Sequence, residues 1–111
     1  MRYLMFVCTD PDAAAEETAE GTLAVEEWVS KYDGNGKRLI GERTRPAEDA
    51  TIVRRRGGEV LVTDGPYTES PDWIAGFDVI EAEDLDEAIA IAAEHPMSAG
   101  GRLELRPFWV D

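Results

Sequence analysis

The sequence predicts one α+β domain, with the element order strand, helix, strand, hairpin, strand, helix, strand. A chain of 111 residues has room for one hydrophobic core. Short β-rich segments alternate with two segments whose apolar residues recur every three or four positions, which is the period of a helix.

Residues 2–8 are almost continuously apolar, which predicts a central strand covered on both faces. The composition then changes to Ala and Glu, and the spacing predicts a helix over residues 13–32, weakened at Gly21 and ended by Asp33 and Gly34. Its apolar positions are Ala14, Thr18, Gly21, Val25, Trp28 and Tyr32. A second strand is expected over residues 37–43.

Two β-rich runs, residues 51–54 and 59–62, flank a segment that ends in Gly57 and Gly58. Adjacent glycines favour a tight reversal because they adopt positive φ without strain, so a β-hairpin is predicted here. Residues 64–67 are predicted to form a compact turn, and residues 74–81 the next strand.

The second helix has the clearest start signal in the chain. Asp84 is expected to cap it, with Glu87 three residues later. The predicted apolar stripe of this helix consists of Leu85, Ala88, Ile89 and Ala92. His95 and Pro96 end the helix, and a last strand follows over residues 102–109.

Without the hairpin the order is βαββαβ, in which two helices cover one face of an antiparallel sheet. The other face carries large side chains, with Phe77 and Trp109 as the examples in its strands. Since an uncovered apolar face is unstable in water, we expect it to bind a second copy of the chain.

The formal charge of −13, from 24 acidic and 11 basic residues, excludes several function classes. Nucleic acids and anionic membrane surfaces both require clustered cations, so neither is an expected partner. Cys8 is the only cysteine and is interpreted as an inert buried thiol, which fits a reducing cytoplasm. No spacing of metal ligands and no phosphate-binding glycine loop occurs, so the sequence predicts neither metal nor cofactor.

The turn that follows residue 63 carries the most informative local motif. Asp64 ends a strand beside Gly65 and Pro66, which fix the backbone, so its carboxylate is a candidate base or hydrogen-bond acceptor. The alternative is an ordinary turn, because Asp-Gly-Pro is common where strands end.

Several segments in order resemble the DGPF branch of the YCII-related domain family, and the resemblance spans nearly the whole chain. The segments are residues 62–69 (Val-Thr-Asp-Gly-Pro-Tyr-Thr-Glu), 76–77 (Gly-Phe), 84–88 (Asp-Leu-Asp-Glu-Ala) and 102–107 (Arg-Leu-Glu-Leu-Arg-Pro). The opening residues 1–4, residues 40–43 and residues 51–54 are similar to that family too. The resemblance implies a ferredoxin-like fold that assembles as a dimeric α/β barrel.

The family resemblance implies a small-molecule binder or enzyme in which Asp64 is the catalytic residue of a cleft. In the YCII branch a His–Asp pair is proposed as catalytic, but this chain has only His95, at the end of the second helix. The alternative function is a non-catalytic regulatory or protein-interaction module, because some relatives are encoded beside extracytoplasmic-function sigma factors.

The expected ligand-binding residues surround the Asp64 turn. Gly65, Pro66 and Tyr67 belong to the motif, where Tyr67 replaces the usual Phe, and Trp73 is a candidate wall of the cleft.

Arg43 and Arg54 could each bind a carboxylate or phosphate, although neutralisation of neighbouring acids is the alternative for both. The strongly negative chain repels anions at long range, so the ligand is expected to be neutral or held by one of these arginines. His95 is interpreted as a helix C-terminal cation that complements the helix dipole.

Overall fold

The computed structural model describes residues 1–10, 19–65 and 73–110, and for Trp73 the backbone only. It is a mixed α+β domain with two antiparallel sheets and three α-helices among these residues. The strands are β1 (Arg2–Thr9), β2 (Arg38–Arg43), β3 (Thr51–Arg56), β4 (Glu59–Asp64), β5 (Trp73–Glu81) and β6 (Gly101–Pro107). The helices are α1 (Val25–Gly34), α2 (Leu85–Ala93) and α3 (Met97–Gly100), and a 3₁₀ turn occupies Ala47–Asp49.

The main sheet has the strand order β2-β5-β1-β6, and every neighbouring pair is antiparallel. With β3 and β4 left aside, this order is compatible with a ferredoxin-like fold. The central strand β1 places Met5 opposite Asp78 of β5 on one side and opposite Leu105 of β6 on the other. Residues that lie directly opposite each other in paired strands have their side chains on the same face, so these three residues share one face of the sheet.

The hydrophobic core lies between that face and the helices. Tyr3, Met5 and Val7 of β1 are buried at every second position, while Leu4 and Phe6 between them are only half-buried. β1 is therefore central, as predicted, but within the described part of the chain it is not covered on both faces. They pack against Trp28 of α1, which is fully buried. Trp28 also donates its indole N–H to the carbonyl of Ile91 in α2 at 2.9 Å, so this hydrogen bond connects the two longer helices.

The predicted first helix, residues 13–32, is wrong over residues 19–24. Residues 11–18 lie outside the described part of the chain, and Ala19–Ala24 is not helical, since α1 begins only at Val25. Gly21 has a φ of 88°, which is incompatible with a right-handed helix. At the other end the helix includes Asp33 and Gly34, and its C-cap is Asn35.

The cap of α2 is confirmed. Asp84 accepts a hydrogen bond from the backbone N–H of Glu87 at 2.8 Å, and the Glu87 carboxylate accepts one in return from the N–H of Glu83. The predicted apolar stripe is only half right, because Leu85 and Ile89 are 52% and 50% exposed. Packing instead uses the small side chains and one isoleucine: Ala88, Ala92 and Ile91 are the buried residues of α2.

Strands β3 and β4 form the predicted hairpin as a separate two-stranded sheet. The connection consists of Gly57 and Gly58, with φ of 58° and 82°, as expected for a two-residue turn of type I′. Among the described elements, this hairpin makes its main contacts within itself. One of its faces exposes three valines, Val53, Val60 and Val62.

The last strand ends earlier than predicted. β6 stops at Pro107, and Trp109 lies beyond it and is 97% exposed, so it is no part of the sheet. Phe77 does lie on the face of the sheet opposite the helices, where the register places it beside Phe6. Cys8 is buried, and burial raises the pKa of its thiol, with the nearby Glu104 adding to the effect, as expected for an unreactive cysteine.

In the described part of the chain, no helix has the length and the apolar composition needed to cross a lipid bilayer.

Candidate functional site

A cavity of about 840 Å³ lies between α1 and the half of the sheet formed by β2 and β5. The segment from His95 to Met97, which joins α2 to α3, forms another part of its wall. Most of the lining is apolar, with Trp28 and Val29 on α1, Val7 on β1, and Met97. Phe77 of β5 also borders the cavity, but its side chain lies on the opposite face of the sheet. This volume is within the range of about 300–1,000 Å³ that is usual for small-molecule sites.

A buried ion pair lies in the wall of the cavity. The Nε of Arg38 on β2 donates to Oδ1 of Asp78 on β5 at 2.7 Å. Its Nη1 donates to both carboxylate oxygens of Asp33, at the end of α1, at 3.0 and 3.2 Å. Asp78 is 5% exposed, so the pair holds a carboxylate in the interior of the domain. Arg38 therefore connects α1, β2 and β5 at the cavity wall.

Gly41 makes this ion pair possible. It lies opposite Asp78 in the register of β2 and β5. A Cβ built on Gly41 would overlap the Asp78 carboxylate and would lie 2.5 Å from Nη2 of Arg38. Glycine is needed here because it leaves space for the side chains of Arg38 and Asp78. Its backbone does not require glycine, since its φ is not positive.

His95 brings an imidazole to the same cavity. It is 5% exposed and packs edge-on against the Trp28 ring, with 4.8 Å between ring centroids. Its Nδ1 accepts a hydrogen bond from the backbone N–H of Met97 at 3.0 Å. Since Nδ1 is the acceptor, the proton of the neutral ring is on Nε2.

Burial lowers the pKa of His95 to about 4, and the positive charge of Arg38 contributes in the same direction. At neutral pH the ring is therefore uncharged, and the prediction that His95 is a helix-terminal cation is wrong. The physical reason is its position: the ring is packed on Trp28 inside the domain instead of lying at the solvent-exposed end of α2.

The pKa of Asp78 moves the other way. Burial raises it above the ordinary value, the hydrogen bond and charge of Arg38 oppose this rise, and the negative charge of Asp33 adds to it. Two titratable groups with perturbed pKa values in one cavity are typical of functional sites. A histidine with a pKa of about 4 is a weak base, and at neutral pH its Nε2–H can act as a hydrogen-bond donor.

Comparison with known proteins identifies the family. The model of the YCII-related domain matches residues 1–110 of the chain. The chain belongs to the YCII-related domain family. One relative, an uncharacterised protein of Rhizobium meliloti (strain 1021), is 34% identical over 79 residues, which are 69% of this chain and 64% of the relative. The chain thus spans a little under two thirds of the length of that relative.

Of the residues predicted from the sequence of this YCII-related chain, Arg43 lines the cavity. Asp64 does not: it is exposed at the end of β4, in register with Thr51 at the base of the hairpin. Gly65 follows with a φ of 86° and donates its N–H to the carbonyl of Ala50 at 2.8 Å, which extends the pairing of the hairpin by one residue. The rest of the predicted turn, residues 66–67, lies outside the described residues.

Among the described residues, the predicted ligand-binding residue Arg54 does not line the cavity. Arg54 is a half-buried residue in the middle of β3. Pro66 and Tyr67 lie outside the described residues. Trp73 begins β5, but its side chain is also outside the described part. The structure therefore brings together a different set of polar residues from the one around the Asp64 turn.

Sequence reasoning missed Arg38 and Asp78 as cavity residues, although both left a signal. Asp78 is a carboxylate in the middle of an otherwise apolar strand, and buried carboxylates are rare unless they are paired. Gly41 in the interior of β2 is a second signal, because glycine inside a strand often marks a close approach of another group.

Proposed function

We propose that this YCII-related protein binds a small molecule in the cavity between α1 and the β2–β5 half of the sheet. The observation that carries the proposal is the placement of two buried polar side chains, Asp78 and His95, and the half-buried Arg38 on an otherwise mainly apolar wall. Apolar cavities with a few convergent polar groups are typical of ligand sites. The weak basicity of His95 favours binding over proton transfer by this residue.

A thermal-shift screen against a metabolite library tests this proposal, because a ligand of the native state raises the unfolding temperature. Val29→Phe fills part of the cavity, whereas Val60→Phe makes the same change on the exposed face of the hairpin. We expect ligands to stabilise the wild type and Val60→Phe but not Val29→Phe. Equal shifts in all three proteins would contradict binding in this cavity.

The catalytic role of Asp64 stays a prediction, supported by the family resemblance of its turn. Asp64→Asn keeps the size of the side chain and removes its charge. If this variant leaves ligand binding, turnover and stability unchanged, the role is wrong.

We further propose that two copies associate through the sheet face opposite the helices. Leu4, Phe6, Phe77 and Val79 form an apolar group at the centre of this face, and among the described residues no helix packs on it. Sedimentation velocity should show a dimer for the wild type and for the control Val110→Glu, whose position is 82% exposed. Phe6→Glu should be monomeric, and a dimer in this variant would contradict the proposed interface.

The alternative function as a protein-interaction module has one supporting observation, the three exposed valines of the hairpin. Replacing Val53 and Val62 by Thr keeps the branched shape and makes the face more polar. A partner that still binds this double variant with unchanged affinity would exclude the hairpin as its binding surface.

A further inference from the structure

Arg43 differs from the other basic residues of the chain in having no partner for its side chain. Most of the others form ion pairs with acidic side chains, namely Arg2, Lys31, Lys37, Arg38, Arg45 and Arg106. Arg55 and Arg56 donate to backbone carbonyls, and Arg54 and Arg102 also have interaction partners. The Arg43 side chain forms neither a hydrogen bond nor an ion pair within residues 1–10, 19–65 and 73–110. Arg43 therefore does not neutralise a neighbouring acid there, which is the alternative role considered for it.

The register of the sheet places Arg43 beside a gap on the floor of the cavity. Arg43 of the edge strand β2 lies opposite Gly76 of β5, and Gly76 lies opposite Val7 of β1. The three residues share one face of the sheet, which for Val7 is the face that packs against the helices. Gly76 has no side chain, so the row leaves space over β5 between an apolar side chain and a cation. Since neighbouring strands are about 4.8 Å apart, this space spans roughly 10 Å.

The apolar surface that the cavity leaves accessible is aliphatic. Val25 is 45% exposed, and Val29, Pro96 and Met97 are half-buried, so each retains surface that a ligand can cover. Trp28 also borders the cavity, but it is fully buried and offers no such surface. Covering aliphatic surface favours a ligand with an aliphatic part.

Arg43 is also the cation that the wall offers to a ligand. Arg38, the other basic residue of the lining, is bound to Asp78 and Asp33, so its charge is compensated within the protein. A guanidinium binds a carboxylate or a phosphate through two parallel N–H donors. An anionic group is thus the partner that suits Arg43.

The acidic character of the chain favours a singly charged anion. Glu26 and Glu42 border the cavity, although neither forms an ion pair with Arg43, and Glu42 lies opposite Phe77 on the other face of the sheet. The whole chain carries a net charge of −13, and its repulsion of an anion at long range grows with the charge of that anion. A carboxylate, with one negative charge, is repelled less than a phosphate monoester, which carries about 1.5 to 2.

We propose that the ligand is an aliphatic carboxylate whose carboxylate group is bound by the guanidinium of Arg43. Arg43 is exposed on the edge strand, so the charged group lies at the rim of the cavity, and the aliphatic chain lies over Gly76 towards Val7. This inference rests on the proposed function and adds the chemical class of the ligand. Arg43 is then the residue that selects an anion, and the aliphatic wall selects the chain attached to it.

Three probes with similar unbranched chains and different head groups test this class: hexanoate, hexanamide and hexyl phosphate. The carboxylate has a single negative charge, the amide is neutral, and the phosphate has nearly two charges at neutral pH. Binding is followed by amide NMR spectra of the full chain at neutral pH, with the backbone N–H groups of Gly41 and Gly76 as reporters in the cavity lining. We expect hexanoate to bind about tenfold more tightly than hexanamide, and more tightly than hexyl phosphate.

Two exposed arginines close together in sequence provide a matched pair of variants. Arg43→Gln removes the guanidinium from the cavity and keeps a polar side chain. Arg45→Gln removes the same charge from a residue that does not line the cavity and is paired with Asp49. Hexanoate affinity should fall about tenfold in Arg43→Gln and less than about twofold in Arg45→Gln, with hexanamide affinity unchanged in both. Unfolding temperatures without ligand show whether both variants are folded.

The failure of this inference differs from the failure of the proposed function. If hexanamide binds as tightly as hexanoate, or if both variants weaken hexanoate equally, the inference is wrong while the cavity remains a ligand site. Tighter binding of hexyl phosphate would make the ligand a phosphate and would also overturn the inference. If no probe binds at millimolar concentration, but a library compound binds the wild type and Arg43→Gln alike and does not bind Val29→Phe, the inference is again wrong and the site stands. If neither the probes nor the library bind, the proposed function itself is wrong.

Discussion

The burial of His95 predicts that this protein loses stability in mild acid, in a pH range set by one residue. In the unfolded chain a histidine has an ordinary pKa of 6.5, whereas in the folded protein burial and Arg38 lower the pKa of His95 to about 4. Between these values the unfolded state binds a proton that the folded state does not. Stability is therefore complete above pH 6.5 and falls as the pH decreases towards 4.

The size of the loss follows from the two pKa values, 6.5 and about 4. At about 1.4 kcal/mol for each tenfold difference in proton affinity, the loss amounts to about 3 kcal/mol. Two other effects accompany it. The pKa of Asp78 is raised, so its protonation favours the folded state as the pH falls. The pKa of Glu94 is lowered by its hydrogen bonds to Lys31 and Tyr32, so its protonation has the opposite effect.

The measurement is urea unfolding followed by far-UV circular dichroism from pH 7.5 to pH 4, for the wild type and for His95→Asn. Both proteins share Asp78 and Glu94, so the difference between their free energies of unfolding isolates His95. Between pH 7.5 and pH 4, the free energy of unfolding of the wild type should fall by about 3 kcal/mol more than that of His95→Asn. Most of this change should occur below pH 6.5. Parallel curves for the two proteins would refute the inference that His95 is buried in its neutral form.

Three further substitutions test the packing of the site and of α2. Gly41→Ala should lower the free energy of unfolding in urea by about 2 kcal/mol, because its Cβ would overlap the Arg38–Asp78 ion pair. Its control, Gly34→Ala, should not lower that free energy, because no atom lies within 4 Å of the added Cβ. Asp78→Asn should cost about 3 kcal/mol because it removes the buried charge paired with Arg38 and leaves only the exposed carboxylate of Asp33 to compensate that guanidinium. Asp49→Asn, whose partner is 85% exposed, should cost less than about 0.5 kcal/mol. Asp84→Ala should lower the stability by about 1 kcal/mol through loss of the α2 cap. Equal effects for a substitution and its control would contradict the corresponding contact.

The elements that were predicted correctly have signals confined to a few neighbouring residues. The Gly57-Gly58 turn and the Asp84 cap are local chemistry, and the apolar run of β1 is long enough to identify a central strand. The first helix was misplaced because Ala and Glu at helical spacing indicate only an intrinsic preference for helix. The backbone at Gly21 has a positive φ, which a right-handed helix does not allow.

The candidate site was only partly predictable because it depends on contacts between residues far apart in sequence. Arg38 reaches Asp78 only because β2 pairs with β5 in one particular register, and no local pattern specifies that register. His95 is buried by Trp28, which belongs to a helix on the other side of the hairpin in sequence. Its position beside Pro96 indicated a helix end but not whether that end faces solvent.

The Arg38–Asp78 pair has more effect on the chemistry of the cavity than on the stability of the fold. Removing two charges from water costs free energy that their attraction repays only in part, so a buried pair is weak evidence of a stabilising contact. Its consequence for the site is definite, however. Because Asp78 and Asp33 compensate Arg38, the wall has no available cation at that point, while the charge of Arg38 still helps to keep His95 neutral.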